Sequence, residues 1–255
     1  MSSELSVSRH GSVAVLEVNR PPANYFDQAI LAEIADVGTE LQQDRDVRAI
    51  VLCSEGKHFC AGANFAPGGL GDDREAASRQ LYTEATRVFD LELPIIAAVQ
   101  GSAVGGGLGL ACAADFRVAT PGSRLVANFA QLGFHHGFGL SVTLPRIVGH
   151  QVAQDLLYTG RRVNGEQALE LGLVDRLVPD GEERRAAIEW AQEIADNAPL
   201  AVRAIRQTLR GELARQVRSV LDHELDQQAR LWKTRDSQIG IAANLAREKA
   251  QFVGE

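Results

Sequence analysis

The run VGGGLGLACAADFRVA, residues 104–119, decides how this chain is read. Three consecutive glycines, Gly105, Gly106 and Gly107, stand directly before a stretch with the apolar pattern of a buried helix. Glycine in a helix interior costs about 1 kcal/mol relative to alanine, so the run needs a compensating reason. One reason is a tight strand-to-helix turn packed against neighbouring backbone. The other is a ligand approaching the first N–H groups of a helix, which lack intrahelical partners and sit at the positive end of its dipole.

Outward from the glycines, strand and helix patterns alternate. LPIIAAVQG (93–101) is a near-continuous apolar run, as in a strand covered on both faces, and DFRVAT (115–120) is a further strand. Upstream, SVAVLEVNRP (12–21) and VRAIVLCSEG (47–56) read as strands. Between them Asp27 caps a helix on which Ile30, Ile34, Val37 and Leu41 recur at helical spacing. The small-residue loop KHFCAGANFAPGGLGDD (57–73) ends at a cap, Asp72, before a helix carrying Leu81, Ala85, Val88 and Phe89. Downstream, QVAQDLLYTG (151–160) is a helix closed by a left-handed Gly160. In NGEQALELG (164–172) Asn164 is the cap, Gln167 completes a capping box and Gly172 is the stop. LVDRLVP (173–179) is one more strand, and everything beyond Glu182 is helical in pattern, interrupted at Pro199. The alternation predicts an α/β core followed by an α-helical region.

Composition narrows the function. The chain has 255 residues, long enough for a full-sized core, with 45% apolar and 23% charged residues. A formal charge of −7 argues against nonspecific binding to nucleic acid or anionic membranes, although a local basic cluster could still hold a phosphate. Cys53, Cys60 and Cys112 lie among apolar neighbours and read as reduced core thiols. No basic segment precedes a long apolar run at the N-terminus, and no stretch approaches a membrane span, so a cytoplasmic protein is expected.

The two glycine-rich turns share one physical task. Amides from HFCAGAN (58–64) and from the start of the helix at Gly106 can hold a carbonyl oxygen that becomes negative, as in an enolate or a tetrahedral oxyanion. In this combination HFCAGAN and AAVQGSAVGGGLGLACAADFRVA resemble the enoyl-CoA hydratase/isomerase, or crotonase, family, and the likeness continues through LYTGRRVNGEQALELGLVDRLVP. The resemblance implies a crotonase-like spiral of ββα units over residues 1–195 and a C-terminal α-helical trimerisation region over 196–255. It implies assembly as a trimer or dimer of trimers. It places the oxyanion donors on the N–H groups of Ala63 and Gly106, and makes the substrate an acyl thioester of coenzyme A. A dinucleotide fold fails on spacing: counted from Gly105 or Gly107, the third glycine of GxGxxG falls on Leu110 or Cys112.

The family's proton-transferring acids are missing. The resemblance puts the two hydratase glutamates at Gly109 and Phe129, and a further acid of some isomerases and dehalogenases at Gly137. Nearby, LGFHHGFGLS (132–141) offers His135 and His136, whose ordinary pKa suits proton transfer. At least one acts as acid or base, or one is a surface or oligomer contact and the other a hydrogen-bonded core residue. Phe129, Phe134 and Phe138 could line an apolar acyl pocket, with core packing the role expected of at least one. Asp72, Asp73 and Glu75 follow a glycine-rich lid candidate, FAPGGLG (65–71), but equally suit the first turn of a helix. Tyr25 lies by the thioester or adenine or is packing, His58 sits at a strand end away from chemistry, and Ser141 does not fit a nucleophile elbow.

For the nucleotide, the resemblance implies adenine against the main chain of Ala61, Gly62, Ala63 and Asn64. LAREKAQF (245–252) offers Arg247 and Lys249 to phosphates and Phe252 to the adenine, with Arg20 a further cation; a solvated helix end is the alternative. No metal or redox cofactor is implied. The expected activity is acyl-CoA processing as a lyase or isomerase through a stabilised thioester enolate. Noncatalytic acyl-CoA binding, thioester hydrolysis and decarboxylation are the alternatives.

Overall fold

The computed structural model describes residues 4–64 and 73–255. The lid candidate at 65–71 and the expected cap Asp72 lie outside them. The apolar runs assemble into a sheet of β1 (Leu5–His10), β2 (Val13–Val18), β3 (Ala49–Ser54), β4 (Ile95–Val99), β6 (Phe116–Ala119) and β9 (Arg176–Leu177), in that spatial order. β1 and β2 pair antiparallel; the other neighbours run parallel. β1 begins with only a short alternation, Leu5 and Val7 between serines, and of its residues only Leu5 is buried.

Strand periodicity divides the core. Ala49, Val51 and Cys53 of β3 face α7 (Glu183–Ala195), which covers that side with Ala187, Ala191 and Ala195 at four-residue spacing. Ile50 and Leu52 face the larger core with α1 (Gln28–Leu41) and α2 (Arg74–Phe89). Asp27 caps α1 by accepting from the Ile30 N–H at 3.0 Å. α2 is capped by Asp73, which accepts from the Ala76 N–H at 3.0 Å.

Gly101, with φ +54°, turns the chain out of β4 into a second sheet of β5 (Ser102–Val104), β7 (Arg124–Val126) and β8 (Val163–Asn164). A β-carbon at Gly101 would stand 1.9 Å from the Lys57 carbonyl oxygen, so the turn requires glycine. α3 (Gly106–Ala113) follows β5 immediately, and all its residues after the first are buried. The chain continues through α4 (Leu140–Val148), α5 (His150–Thr159) and α6 (Gly165–Glu170). The expected left-handed Gly160 and the Asn164–Gln167 capping box are both present.

The long α8 (Pro199–Leu231) is tied to the core through Asp115, whose carboxylate accepts from Arg206 at 2.9 Å, Arg210 at 3.2 Å and the Ile95 N–H at 2.8 Å. α9 (Arg235–Ala246) ends on Arg247 in the left-handed region. All three cysteines are buried free thiols, and burial pushes Cys53 and Cys60 up to about 12 and Cys112 to about 11, so none is a ready nucleophile. Among the described residues no helix is long and apolar enough to cross a membrane.

Candidate active site

The loop at 58–64 is zipped to β5. Cys60 donates its N–H to the Ser102 carbonyl at 3.0 Å and accepts from the Val104 N–H at 2.9 Å. On its other side, Ala61 N–H donates to the Ala23 carbonyl at 3.0 Å, and Phe26 N–H donates to the Gly62 carbonyl at 3.1 Å. Gly62 has φ +85°, and a β-carbon there would stand 2.7 Å from the Val104 carbonyl oxygen and 3.7 Å from the Gly106 nitrogen. A β-carbon on Gly107 would meet the Cys60 carbonyl oxygen at 2.2 Å. Two of the glycines are therefore required by close backbone approach, which sets Ala63 beside the start of α3. Among the described residues neither the Ala63 nor the Gly106 N–H donates a hydrogen bond.

Both residues line a cavity of about 700 Å³. Ala61, Gly62, Asn64, Phe129, Phe134 and Arg247, all expected from the sequence, share its wall. Phe26 and Leu81 add apolar surface, and Tyr25 also lines the cavity. His58 lines it as well, against the expectation that it lies away, because the pairing of Cys60 with β5 draws the strand end inward. Burial lowers the His58 pKa, helped by the charges of Lys57 and Arg124.

His135 and His136 are not in the cavity wall. They stack on each other with ring centroids 4.1 Å apart, and His136 Nε2 bonds Ser141 Oγ at 2.8 Å. Burial, with His135 and His223 beside it, drives His136 down to about 3, so its ring is neutral. His135 is lowered too, by burial first. The pair thus lies outside the wall that carries the two amides, with His136 against the wall residue Phe129. Ser141 belongs to the same cluster: its N–H and that of Gly139 donate to the buried Glu224 carboxylate, each at 2.9 Å.

Lys249 and Phe252 are likewise absent from the cavity wall; both are exposed beyond the end of α9. Arg20 is engaged by Glu4 at 2.5 Å and Asp27 at 2.9 Å, so it is not a spare cation. Glu75 lies in the first turn of α2, where it pairs with Arg79 at 3.8 Å.

Several wall residues escaped sequence reasoning. Arg124 and Arg162 are exposed guanidiniums that join Arg247 around the cavity. Tyr82 of α2 and Gln228 of α8 stand together, with Gln228 Nε2 donating to the Tyr82 oxygen at 3.0 Å. The one signal for Gln228 is polarity inside the apolar stripe of α8, where Val217, Leu221, Glu224, Leu225 and Gln228 are all buried. Among the described residues the wall has a single carboxylate, Glu248, and no group of three or more acidic, cysteine or histidine residues could hold a metal.

The family model described as enoyl-CoA hydratase/isomerase matches residues 8–255. A carnitinyl-CoA dehydratase from Citrobacter koseri is 33% identical over 224 residues, covering 82% of this chain and 81% of its own. An enoyl-CoA hydratase/isomerase structure from Pseudoalteromonas atlantica T6c superposes with a TM-score of 0.88 at 26% identity, covering 98% of this chain and 100% of that one. An enoyl-CoA hydratase structure from Bacillus anthracis gives a TM-score of 0.78 at 31% identity, covering 99% and 100%.

Proposed function

The chain belongs to the enoyl-CoA hydratase/isomerase family, and from that premise we propose that it processes acyl thioesters of coenzyme A through an enolate held by the Ala63 and Gly106 amides. The supporting observation is that these two N–H groups line one cavity and donate to nothing among the described residues. A thioester oxygen between them gains charge when the α-carbon loses a proton or a neighbouring bond breaks. Fixed donors aimed at that charge are each worth about 10²–10³ in rate. The exposed Arg124, Arg162 and Arg247 suit the phosphates of coenzyme A. Trimeric self-association, or a dimer of trimers, is part of the proposal; Leu200, Ile205 and Leu209 of α8 are exposed apolar residues that such contacts would cover.

Decarboxylation is the second reading, favoured by the absence of a carboxylate from positions 109, 129 and 137. Loss of carbon dioxide from a malonyl-type thioester sends the broken C–C bond's electron pair into the thioester carbonyl, so the enolate forms without a base. The experiment is a panel of saturated, 2-enoyl, 3-enoyl, 3-hydroxy and malonyl-type thioesters with product masses measured. Addition or loss of water, or a shifted double bond, supports the lyase/isomerase reading. Carbon dioxide release moves the chain to the second reading, and binding without turnover leaves a carrier or scaffold.

A further inference from the structure

The acyl-CoA reading leaves open what the acyl group carries. An uncharged polar pair on the cavity wall bears on that question. Tyr82 and Gln228 both line the cavity, and the Tyr82 ring lies edge-on to Phe138 with centroids 6.4 Å apart. On its other side Phe138 meets Phe26 at 5.4 Å, and Phe26 is the residue that a β-carbon on Gly106 would touch. Ring contacts from Tyr82 to Phe138 to Phe26 therefore connect this hydroxyl-bearing ring to the residues packed against Gly106.

The hydroxyl is oriented by its surroundings. Gln228 Nε2 has two protons; one goes to the His135 carbonyl at 3.0 Å and the other to the Tyr82 oxygen at 3.0 Å. Gly137 also packs against this oxygen, since a β-carbon there would stand 1.9 Å from it. With Gln228 donating to the phenol oxygen and Gly137 packed against it, what the hydroxyl has left to offer is its own proton. That proton rests on Gln228 Oε1 at 3.2 Å, the longest contact in the set. Burial, and then the nearby Glu224, push the Tyr82 pKa upward, so the hydroxyl remains a neutral donor.

We propose that Tyr82, held in place by Gln228, is a specificity-determining hydrogen-bond donor to a hydroxyl or keto oxygen on the acyl chain, so that oxygenated acyl-CoA thioesters are preferred over plain hydrocarbon ones. The inference rests on the acyl-CoA reading. Such a donor favours a neutral oxygen. A carboxylate would instead be desolvated beside an uncharged pair, with no cation among the described residues bonded to Tyr82 or Gln228 to offset the cost. A plain alkyl chain leaves the donor on its weak internal contact. The discrimination comes from one buried hydrogen bond gained, which corresponds to about fivefold to tenfold in affinity.

The test is calorimetric binding of 3-hydroxyacyl-CoA, 3-oxoacyl-CoA and saturated acyl-CoA of equal chain length. Wild type is expected to bind the oxygenated ligands about fivefold to tenfold tighter than the saturated one. Tyr82→Phe is expected to lose that preference, the ratio of oxygenated to saturated affinity falling to about one. Gln228→Leu should lower the same ratio by releasing the hydroxyl, an effect that general loosening of the fold would not produce. Equal affinities in wild type, or a Tyr82→Phe variant weakened equally toward all three ligands, overturns the proposal and leaves the acyl-CoA reading standing. No binding of any thioester overturns both.

Discussion

Gly109 and Phe138 compete for one volume: a β-carbon on Gly109 would stand 2.6 Å from the Phe138 Cβ and 2.8 Å from its Cγ. Phe138 holds this place at φ +61°, an uncommon conformation for a bulky residue, between Gly137 and a left-handed Gly139. A glutamate side chain at 109 would therefore meet an aromatic ring in the space it needs. Position 137 is filled similarly, since a β-carbon there would lie 1.9 Å from the Tyr82 hydroxyl.

Gly109→Ala is therefore expected to destabilise the protein by about 1–3 kcal/mol through overpacking, read as a lower urea midpoint. Gly109→Glu should be worse and should gain no hydratase turnover. Adding Phe138→Ala should make the cost of Gly109→Ala smaller than in wild type, because the two residues share the space. Strictly additive effects would contradict the shared volume.

The oxyanion assignment needs a variant that removes an N–H without moving a wall. Proline suits the first helical position, which Gly106 occupies, but its β-carbon would meet Phe26 at 2.3 Å. The informative comparison is Phe26→Ala against Phe26→Ala/Gly106→Pro. The proline should lower kcat about 10²–10³-fold with the thermal midpoint preserved. Equal turnover in two folded variants would remove Gly106 from the mechanism.

The fold was legible where side chains alternate or recur, and the site was legible where it is made of backbone. Val51 and Leu52 announce a two-faced strand, and Gly105–Gly107 announce a close approach. β1 was hard to see because its apolar alternation stops after Leu5 and Val7 and every residue but Leu5 is exposed. Tyr82 and Gln228 were invisible because their pairing spans |i−j| = 146, between two helices whose faces sequence alone does not dock. The surroundings of the histidines were hidden for a related reason: their ordinary chemistry was plain, but the burial that keeps the His136 ring neutral is a tertiary property.

Arg124 and Arg162 provide a test of the nucleotide end. Replacing Arg162 with alanine should weaken binding of a coenzyme A thioester about tenfold, while leaving the same acyl group on pantetheine unaffected. Raising the salt concentration should shrink the wild-type advantage, because exposed guanidiniums are screened. Equal losses for both ligands would place Arg162 in the acyl site.

Glu224 is fully buried and receives the Gly139 and Ser141 N–H groups on separate oxygens, closing the N-terminus of α4 from a different helix. Hydrogen bonds to a charged group contribute about 1.5–3 kcal/mol each, so Glu224→Ala should cost about 3 kcal/mol or more. Glu224→Gln should fall between the two, since its NH₂ must face one of the donors. Hydrogen exchange at Gly139 and Ser141 should accelerate in step with the loss. Unchanged exchange in either variant would show that the cap is not held by this side chain.

The histidine pair makes a prediction about acid. His136 is held near 3 in the folded chain, against 6.5 for an ordinary histidine. The unfolded state therefore binds more protons below about pH 6.5, and stability that is fully present above that value is lost as pH falls toward the folded pKa. His135 is shifted in the same direction. Glu224 is shifted upward by burial, so it takes up a proton more readily when folded and offsets the loss at lower pH. The clean window lies just below 6.5, where His136 contributes up to about 1.4 kcal/mol per pH unit. Urea midpoints at about pH 7.5, 6.5 and 5.5 should fall in wild type and fall less steeply in His136→Gln, which keeps a donor for Ser141. Parallel pH dependence in the two proteins would mean that His136 accepts its proton in the folded state as readily as an ordinary histidine.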